Sequence, residues 1–231
     1  MQEPVILEGV QDYQDARGNR IHCPTLLDGV KVVFRGANNH VVIDAGSRIK
    51  RLTVEFNCSE GYFELGRNDW DDAFKGLVRI GQGSRVRIGH NVTCTAHCFI
   101  DASELATVTI GEDCMFASGN QLRTDDAHPI FDVRTGKRVN PARNIVIGNH
   151  VWLGYNARIL GGADIGEGSV IGMDALVKGR LPNNCIAAGV PARVVRQDIA
   201  WERPHLSFDE PYLKPDADCI ARSAYWNETR D

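Results

Sequence analysis

The chain has 231 residues, with 26 Lys and Arg against 30 Asp and Glu, 24% charged and 43% apolar side chains. That balance describes a folded globular protein and excludes a disordered one, and a net charge of −4 lacks the basic footprint of general nucleic-acid binding. No apolar run approaches the ~18 residues that span a bilayer, and Met1-Gln2-Glu3-Pro4 has neither a basic nor an apolar leader character, so a cytoplasmic protein is expected. Seven cysteines without a CxxC pair indicate neither a disulfide framework nor a zinc ribbon.

Residues 1–29 are expected to form an N-terminal lead-in. A six-residue period then enters with Ile43/Ser47 and Ile49/Thr53 at its first and fifth positions. It continues through Ile88/Val92, Cys94/Cys98, Ile110/Cys114 and Phe116/Asn120, so that three cysteines read as small core residues. From Ile147 the period is unbroken over six units: IGNHVW, LGYNAR, ILGGAD, IGEGSV, IGMDAL and VKGRLP. Eleven of the twelve first- and fifth-position residues there are apolar, and Gly holds the second position in four units. Six fits neither a helix at 3.6 nor a plain strand at 2. It fits short strands joined by tight corners, repeated around a parallel β-solenoid over about residues 30–196. Large side chains at position one and small ones at position five would fill the interior, with Gly where the backbone takes unusual angles or a neighbouring coil comes close.

The period fails between about His128 and Val146, in HPIFDVRTGKRVNPARNIV. A long unpatterned loop inside a compact domain is usually functional or disordered, and an active-site loop is expected over 124–146. Pro129 pushes His128 towards extended backbone and out from the coil. Asp125, Asp126 or Asp132 could hold its tautomer. His128 therefore reads either as a general base, since imidazole titrates near neutral pH, or as an idle surface histidine.

Several stretches together resemble the hexapeptide-repeat O-acetyltransferases that act on galactosides, maltose and nodulation factors: IGEDCMFASGNQLRTDDAHPIFD, IGNHVWLGYNARILGGADIGEGSVIG and IAAGVPARVVR. Within that family, DDAHPIFDVRTGKRVNPARNIVIGNHVWLG and the tail DIAWERPHL are most similar to capsular polysaccharide O-acetyltransferases, including those acting on sialic-acid polymers. The resemblance covers roughly residues 110–196. It implies an all-β, left-handed parallel β-helix, against the usual right-handed crossover rule. It also implies a homotrimer with active sites between subunits, acetyl-CoA as donor, a glycan acceptor and no metal.

By the same resemblance His128 is the base that deprotonates the sugar hydroxyl. Trp152, Tyr155, Met173, Lys178, Arg193 and Arg196 fall at acetyl-CoA-contacting positions, and His97 and Asp101 near acceptor-contacting ones. Tyr155 stands where the family commonly has a small residue, and Lys178 is displaced by one position. Trp152 offers a flat apolar wall for a pantetheine arm or sugar face. Arg193 and Arg196 could pair with phosphate oxygens, or remain a solvated basic surface. Arg134, Lys137 and Arg138 make the loop basic.

Two other classes fit parts of the pattern. His90, His97 and His128 could be imagined as ligands of a zinc enzyme of the γ-carbonic-anhydrase type, and a non-catalytic glycan-binding scaffold would share the repeat. The final segment, 197–231, has no hexads but mixes aromatics with Pro204, Pro211 and Pro215. It reads as an irregular arm, with a short helix over 217–226, that caps the exposed edge of the solenoid.

Overall fold

Strict in–out alternation sets the strands. Arg85–Ile88 runs exposed, buried, exposed, buried, and Cys98–Ala102 buries Cys98, Ile100 and Ala102. Such short strands cannot stand alone, and each finds its partner one coil away in a ladder. The computed structural model describes residues 3–71 and 73–230. It is an all-β solenoid with three sheets of eight, nine and six strands.

The eight-stranded sheet runs from Val5–Val10 through Leu27–Phe34, Cys98–Ala102 and Asn120–Arg123 to Leu176–Val177. The nine-stranded sheet includes Arg20–His22, His40–Ile43, Thr107–Ile110 and Ile145–Ile147. The six-stranded sheet begins only at Thr93–Cys94 and includes Met115–Phe116 and Trp152–Leu153. Among the described residues, earlier coils therefore have two long sides and no strand on the third. Pairing is parallel except at the ends, where Val5–Val10, Tyr13–Gln14 and Ala192–Arg196 pair antiparallel. The parallel ladder already includes Arg20–His22 against His40–Ile43, so the lead-in is woven into the solenoid. The outermost residues of the expected lead-in and arm, 1–2 and 231, lie outside the described residues.

All twelve first- and fifth-position residues from Ile147 to Leu181 are buried, Ser169 included. So are Cys94, Cys98 and Cys114, and burial pushes the Cys94 and Cys114 thiols up to about 11 and about 12. Each fully buried Ile, Leu or Val in this stack contributes about 1.5–3 kcal/mol. The register expected at Ile49/Thr53 does not hold. Both are only half-buried, while Leu52, Val54 and Phe56 point inward. A register shift between Ile49 and Arg51 changes the phase of that eight-residue strand. The second-position glycines serve close approach: a Cβ on Gly166 would lie 2.4 Å from the Asn183 backbone N, and one on Gly154 2.7 Å from the Ile171 carbonyl.

The arm departs from one expectation made for it and goes beyond the other. Among the described residues its only helical turn is the 3-10 segment Ala217–Cys219, because the prolines and the turn-forming Asp216 leave no run long enough for an α-helix. It does bond to the last coil, where Asn183 Nδ2 donates to the Glu228 carbonyl and Asn184 Nδ2 to the carbonyls of Ile199 and Tyr225, but it does more than cap that edge. In the six-stranded sheet that role falls to Ala192–Arg196, while the arm lies along one corner of the solenoid. Trp201 is buried there, its Nε1–H donating to the His150 carbonyl at 2.9 Å. The buried His150 ring is stacked between Trp201, at 4.0 Å, and Tyr225, at 4.6 Å between centroids. Its two ring nitrogens meet the Asp113 carboxylate at 2.7 Å and the Trp201 carbonyl at 2.9 Å. Arg203 reaches across to Asp113, Thr93 and the backbone carbonyls of Asn91 and Cys114.

Candidate active site

The break in the hexads is an ordered hairpin. Asn120–Arg123 leaves the eight-stranded sheet and Ile145–Ile147 enters the nine-stranded one, so the segment between them bulges from their shared corner. Its arms pair through Val139 N–H to the Ile130 carbonyl at 2.9 Å and Asp132 N–H to the Lys137 carbonyl at 2.8 Å. At the tip Asp132 Oδ1 accepts from Arg134 N, Thr135 N and Thr135 Oγ1, and these bonds hold its carboxyl below the usual range. Two anchors tie the hairpin to the preceding coil: Glu104 pairs with Arg138 and also accepts from Ala142 N at 3.2 Å.

His128 is exposed on this hairpin. None of the three carboxylates expected to orient its imidazole does so among the described residues. Asp125 Oδ1 accepts from Ala127 N at 2.6 Å, Asp126 Oδ2 accepts from Asn140 Nδ2 at 3.0 Å, and Asp132 holds the tip. The residue that fixes the backbone of His128 is Asn140. Its Nδ2 donates to the His128 carbonyl at 2.9 Å, and its Oδ1 accepts from Ile130 N at 2.7 Å and from Arg138 Nε at 3.3 Å.

Two cavities flank the root of the hairpin. One, of about 330 Å³, is lined by both neighbours of His128, Ala127 and Pro129, and by Asp101, Asp125, Arg79 and Arg138. Burial raises the Asp101 carboxyl and nearby Asp125 raises it further, against Arg123 and Arg79. Arg79 and Arg123 also lie over the Phe99 ring, at 5.4 and 5.5 Å. The second cavity, of about 110 Å³, lies beside Asn140, Asp126, Arg123, Arg143 and Lys178. A third cavity, of about 590 Å³, is at the N-terminal end around Tyr13, Arg20, His22 and His40 and contains none of the expected site residues.

The expected site residues fall into separate groups within one chain. Asp101 joins the loop of His128. Lys178 does too, through the smaller cavity. His97, Tyr155 and Met173 lie along a different corner, linked rung to rung by Gly119 N–H to the His97 carbonyl at 2.9 Å and Asp174 N–H to the Tyr155 carbonyl at 2.8 Å. Trp152 is exposed on the six-stranded sheet, its ring 5.9 Å from Trp201. Arg193 and Arg196 are exposed on the antiparallel end strand, where Arg196 is paired with Ile186. A zinc site from His90, His97 and His128 has no geometric basis within the chain, since they stand on three different corners. No group of three or more potential ligands forms among the described residues.

Comparison with known proteins decides the family. The bacterial transferase hexapeptide profile (six repeats) matches residues 144–179. The galactoside O-acetyltransferase of Escherichia coli K12 is 32% identical over 163 residues, which cover 65% of this chain and 77% of that one. The chain belongs to the hexapeptide-repeat acetyltransferase family. Among members of this family, a polysialic acid O-acetyltransferase of Escherichia coli O1:K1 is 38% identical over 129 residues, covering 56% of this chain. The match spans 42% of that relative's length. The crystal structure of the polySia-specific acetyltransferase NeuO superposes with a TM-score of 0.68 at 36% identity, covering 80% of this chain and 79% of that one.

Sequence reasoning passed over two parts of this hexapeptide-repeat acetyltransferase. Asn140 and Arg143 lie within the loop segment as quoted, but nothing in their spacing marks Asn140 as a fastening of the loop or Arg143 as part of a cavity wall. His150 sits at a fourth hexad position, which faces outward, and only the returning arm buries it.

Proposed function

We propose that the chain transfers an acetyl group from acetyl-CoA to a sugar hydroxyl of a capsular or other surface polysaccharide, with sialic-acid polymers as the favoured class. The observation that carries the reading is the placement of His128, exposed on a fastened hairpin between two polar cavities and flanked by residues that line the larger one. Its imidazole takes the hydroxyl proton as the acceptor oxygen attacks the thioester carbonyl. Backbone N–H groups steady the oxyanion. The C–S bond then breaks, and the proton passes from the imidazolium to the departing CoA sulfur. No acyl-enzyme intermediate is required.

The acceptor class draws on the similarity to the polysialic acid O-acetyltransferase. Assembly as a homotrimer, with a neighbour completing each site, is supported by the apolar residues that the hairpin exposes: Ile130, Phe131, Val133 and Val139. Such a partner would bring Tyr155, Met173, Arg193 and Arg196 of one subunit towards His128 of another. The cytoplasm, where acetyl-CoA is made and used, is the expected compartment.

The test is CoA release from acetyl-CoA against sialylated and neutral glycans, with wild type and His128→Ala side by side. The reading predicts glycan-dependent release that falls by about 10²–10⁴ in the variant. Release that survives the substitution removes the base assignment, and glycan binding without release by the wild type makes the protein a scaffold.

A further inference from the structure

We propose that Arg123, Arg143 and Lys178 form a seat for a carboxylate of the acceptor glycan, beneath the loop that carries His128. The inference rests on the acceptor being a glycan, as read above, and adds which of its groups is recognised and where.

The two cavities beside the loop differ in charge. The larger is lined by the acids Asp101, Glu104 and Asp125 against two guanidinium groups. The smaller has three cations against Asp125 and Asp126. Both of those carboxylates already serve the loop, accepting from Ala127 N at 2.6 Å and Asn140 Nδ2 at 3.0 Å. Arg123 is shared with Asp101 at 3.6 Å. Arg143 and Lys178 have no carboxylate within ion-pair distance among the described residues. Some basic side chains on the flanks of the solenoid do, Lys31 with Glu8, Arg79 with Glu55 and Arg87 with Glu64 among them; what sets Arg143 and Lys178 apart is that they line one cavity together. Two unpaired cations at one small cavity leave a positive field that an anionic group would neutralise.

Size and position narrow the ligand. A volume of about 110 Å³ is a few water molecules' worth. It accommodates a carboxylate and the carbon bearing it. A guanidinium fork pairs with a planar carboxylate through two parallel bonds, and an ammonium adds a point charge. Asn140 lines the seat and bonds the His128 carbonyl at 2.9 Å, so the seat lies one side chain from the backbone of the base. Lys178, which the family resemblance places with the donor, stands here on the loop's corner, away from Tyr155 and Met173. In the proposed seat it serves the acceptor, and the Michaelis constant for acetyl-CoA separates that role from a donor one.

The experiment measures binding of a sialic-acid oligomer and of its carboxyl-reduced counterpart by calorimetry, to wild type, Arg143→Gln, Lys178→Gln and the double variant. The Michaelis constant for acetyl-CoA is determined on the same samples. The seat predicts a dissociation constant for the acidic probe that rises about tenfold per cation removed. It also predicts little change for the reduced probe, and partial rescue by Lys178→Arg. Unchanged affinity for the acidic probe in the double variant overturns the seat. So does equal loss for both probes, wild type that binds neither, or a rise confined to the acetyl-CoA constant, which would make the cluster a phosphate site of the donor. Acidic-probe binding that depends on the cations, without acetyl transfer by the wild type, would keep the seat and remove the catalytic reading.

Discussion

Two segments leave the hexad period, and they are held in opposite ways. The hairpin between Arg123 and Ile145 is almost wholly exposed and is fastened by its own Asp, Thr and Asn side chains. Its ties to the coil below it are few, chiefly Glu104 with Arg138 and Ala142. The arm after Arg196 is fastened by burial: Trp201 inside a corner, His150 stacked between two aromatic rings, and Arg203 spread over five acceptor groups. Polar self-bonding gives a loop a shape while leaving its chemistry open to solvent and ligand. Aromatic burial gives an arm permanence and closes its chemistry off. Of the two histidines these segments involve, the exposed His128 is the one open to act as the proposed base, and the buried His150 is the rivet.

The largest expected effects separate these roles. His128→Ala is expected to lower kcat by about 10²–10⁴ with the melting temperature nearly unchanged, since an exposed side chain usually contributes within ±0.5 kcal/mol to stability. Trp201→Ala reverses the pattern. Removing a buried indole costs about 3–5 kcal/mol, roughly 10 °C in melting temperature for a chain of this size. Differential scanning calorimetry beside CoA-release kinetics checks both. A His128→Ala protein that melts several degrees early would dissolve the contrast.

Asn140→Ala sharpens it further, with a smaller effect. The hairpin would lose the bonds to the His128 carbonyl and to Ile130 N while the coils stay intact. A kcat/KM about tenfold lower towards the glycan is expected, on the scale of one or two net hydrogen bonds, with the acetyl-CoA constant and the melting temperature little moved. NMR of the His128 ring protons should then show broadened or shifted signals. Unaltered ring signals together with lost activity would mean that Asn140 touches substrate instead.

The repeat carried most of the fold. Position one and position five point inward because a two-residue alternation is interrupted by a corner every six, and that rule held for every unit from Ile147 to Leu181. It failed at Ile49/Thr53, where a bulge shifts the phase, and no residue there announces a bulge. His128 was legible because proline and carboxylates surround it in sequence. Asp101 and Lys178 reach the loop from other coils, and no period reports which corner of a solenoid receives an excursion. The arm was least legible of all. Its helix was expected from composition, yet its conformation follows from contacts more than 50 residues back, such as Arg203 with Asp113.

The smallest expected effect tests whether the arm's lock is electrostatic as well as hydrophobic. Burial pushes the Asp113 carboxyl up, and the hydrogen bond from His150 and the charge of Arg203 outweigh it, leaving Asp113 below its usual value. A carboxylate whose folded pKa lies below its unfolded one adds stability that is fully present above the unfolded value, near 3.9, and is lost as pH falls through the folded value. Other carboxylates are depressed as well, Asp15, Glu104 and Asp132 among them, so acid destabilisation of the wild type alone proves nothing about the arm. The informative quantity is the gap in melting temperature between wild type and Asp113→Asn. It should be widest near pH 7, where only the wild type has the charge, and should close below about pH 4 as Asp113 protonates. Fluorescence of Trp201 should redden over the same range in the wild type, because the ring that stacks on His150 becomes wetter as the corner loosens. A gap that stays constant down to pH 3 would show that Arg203 and the aromatic stack hold the arm without help from the charge on Asp113.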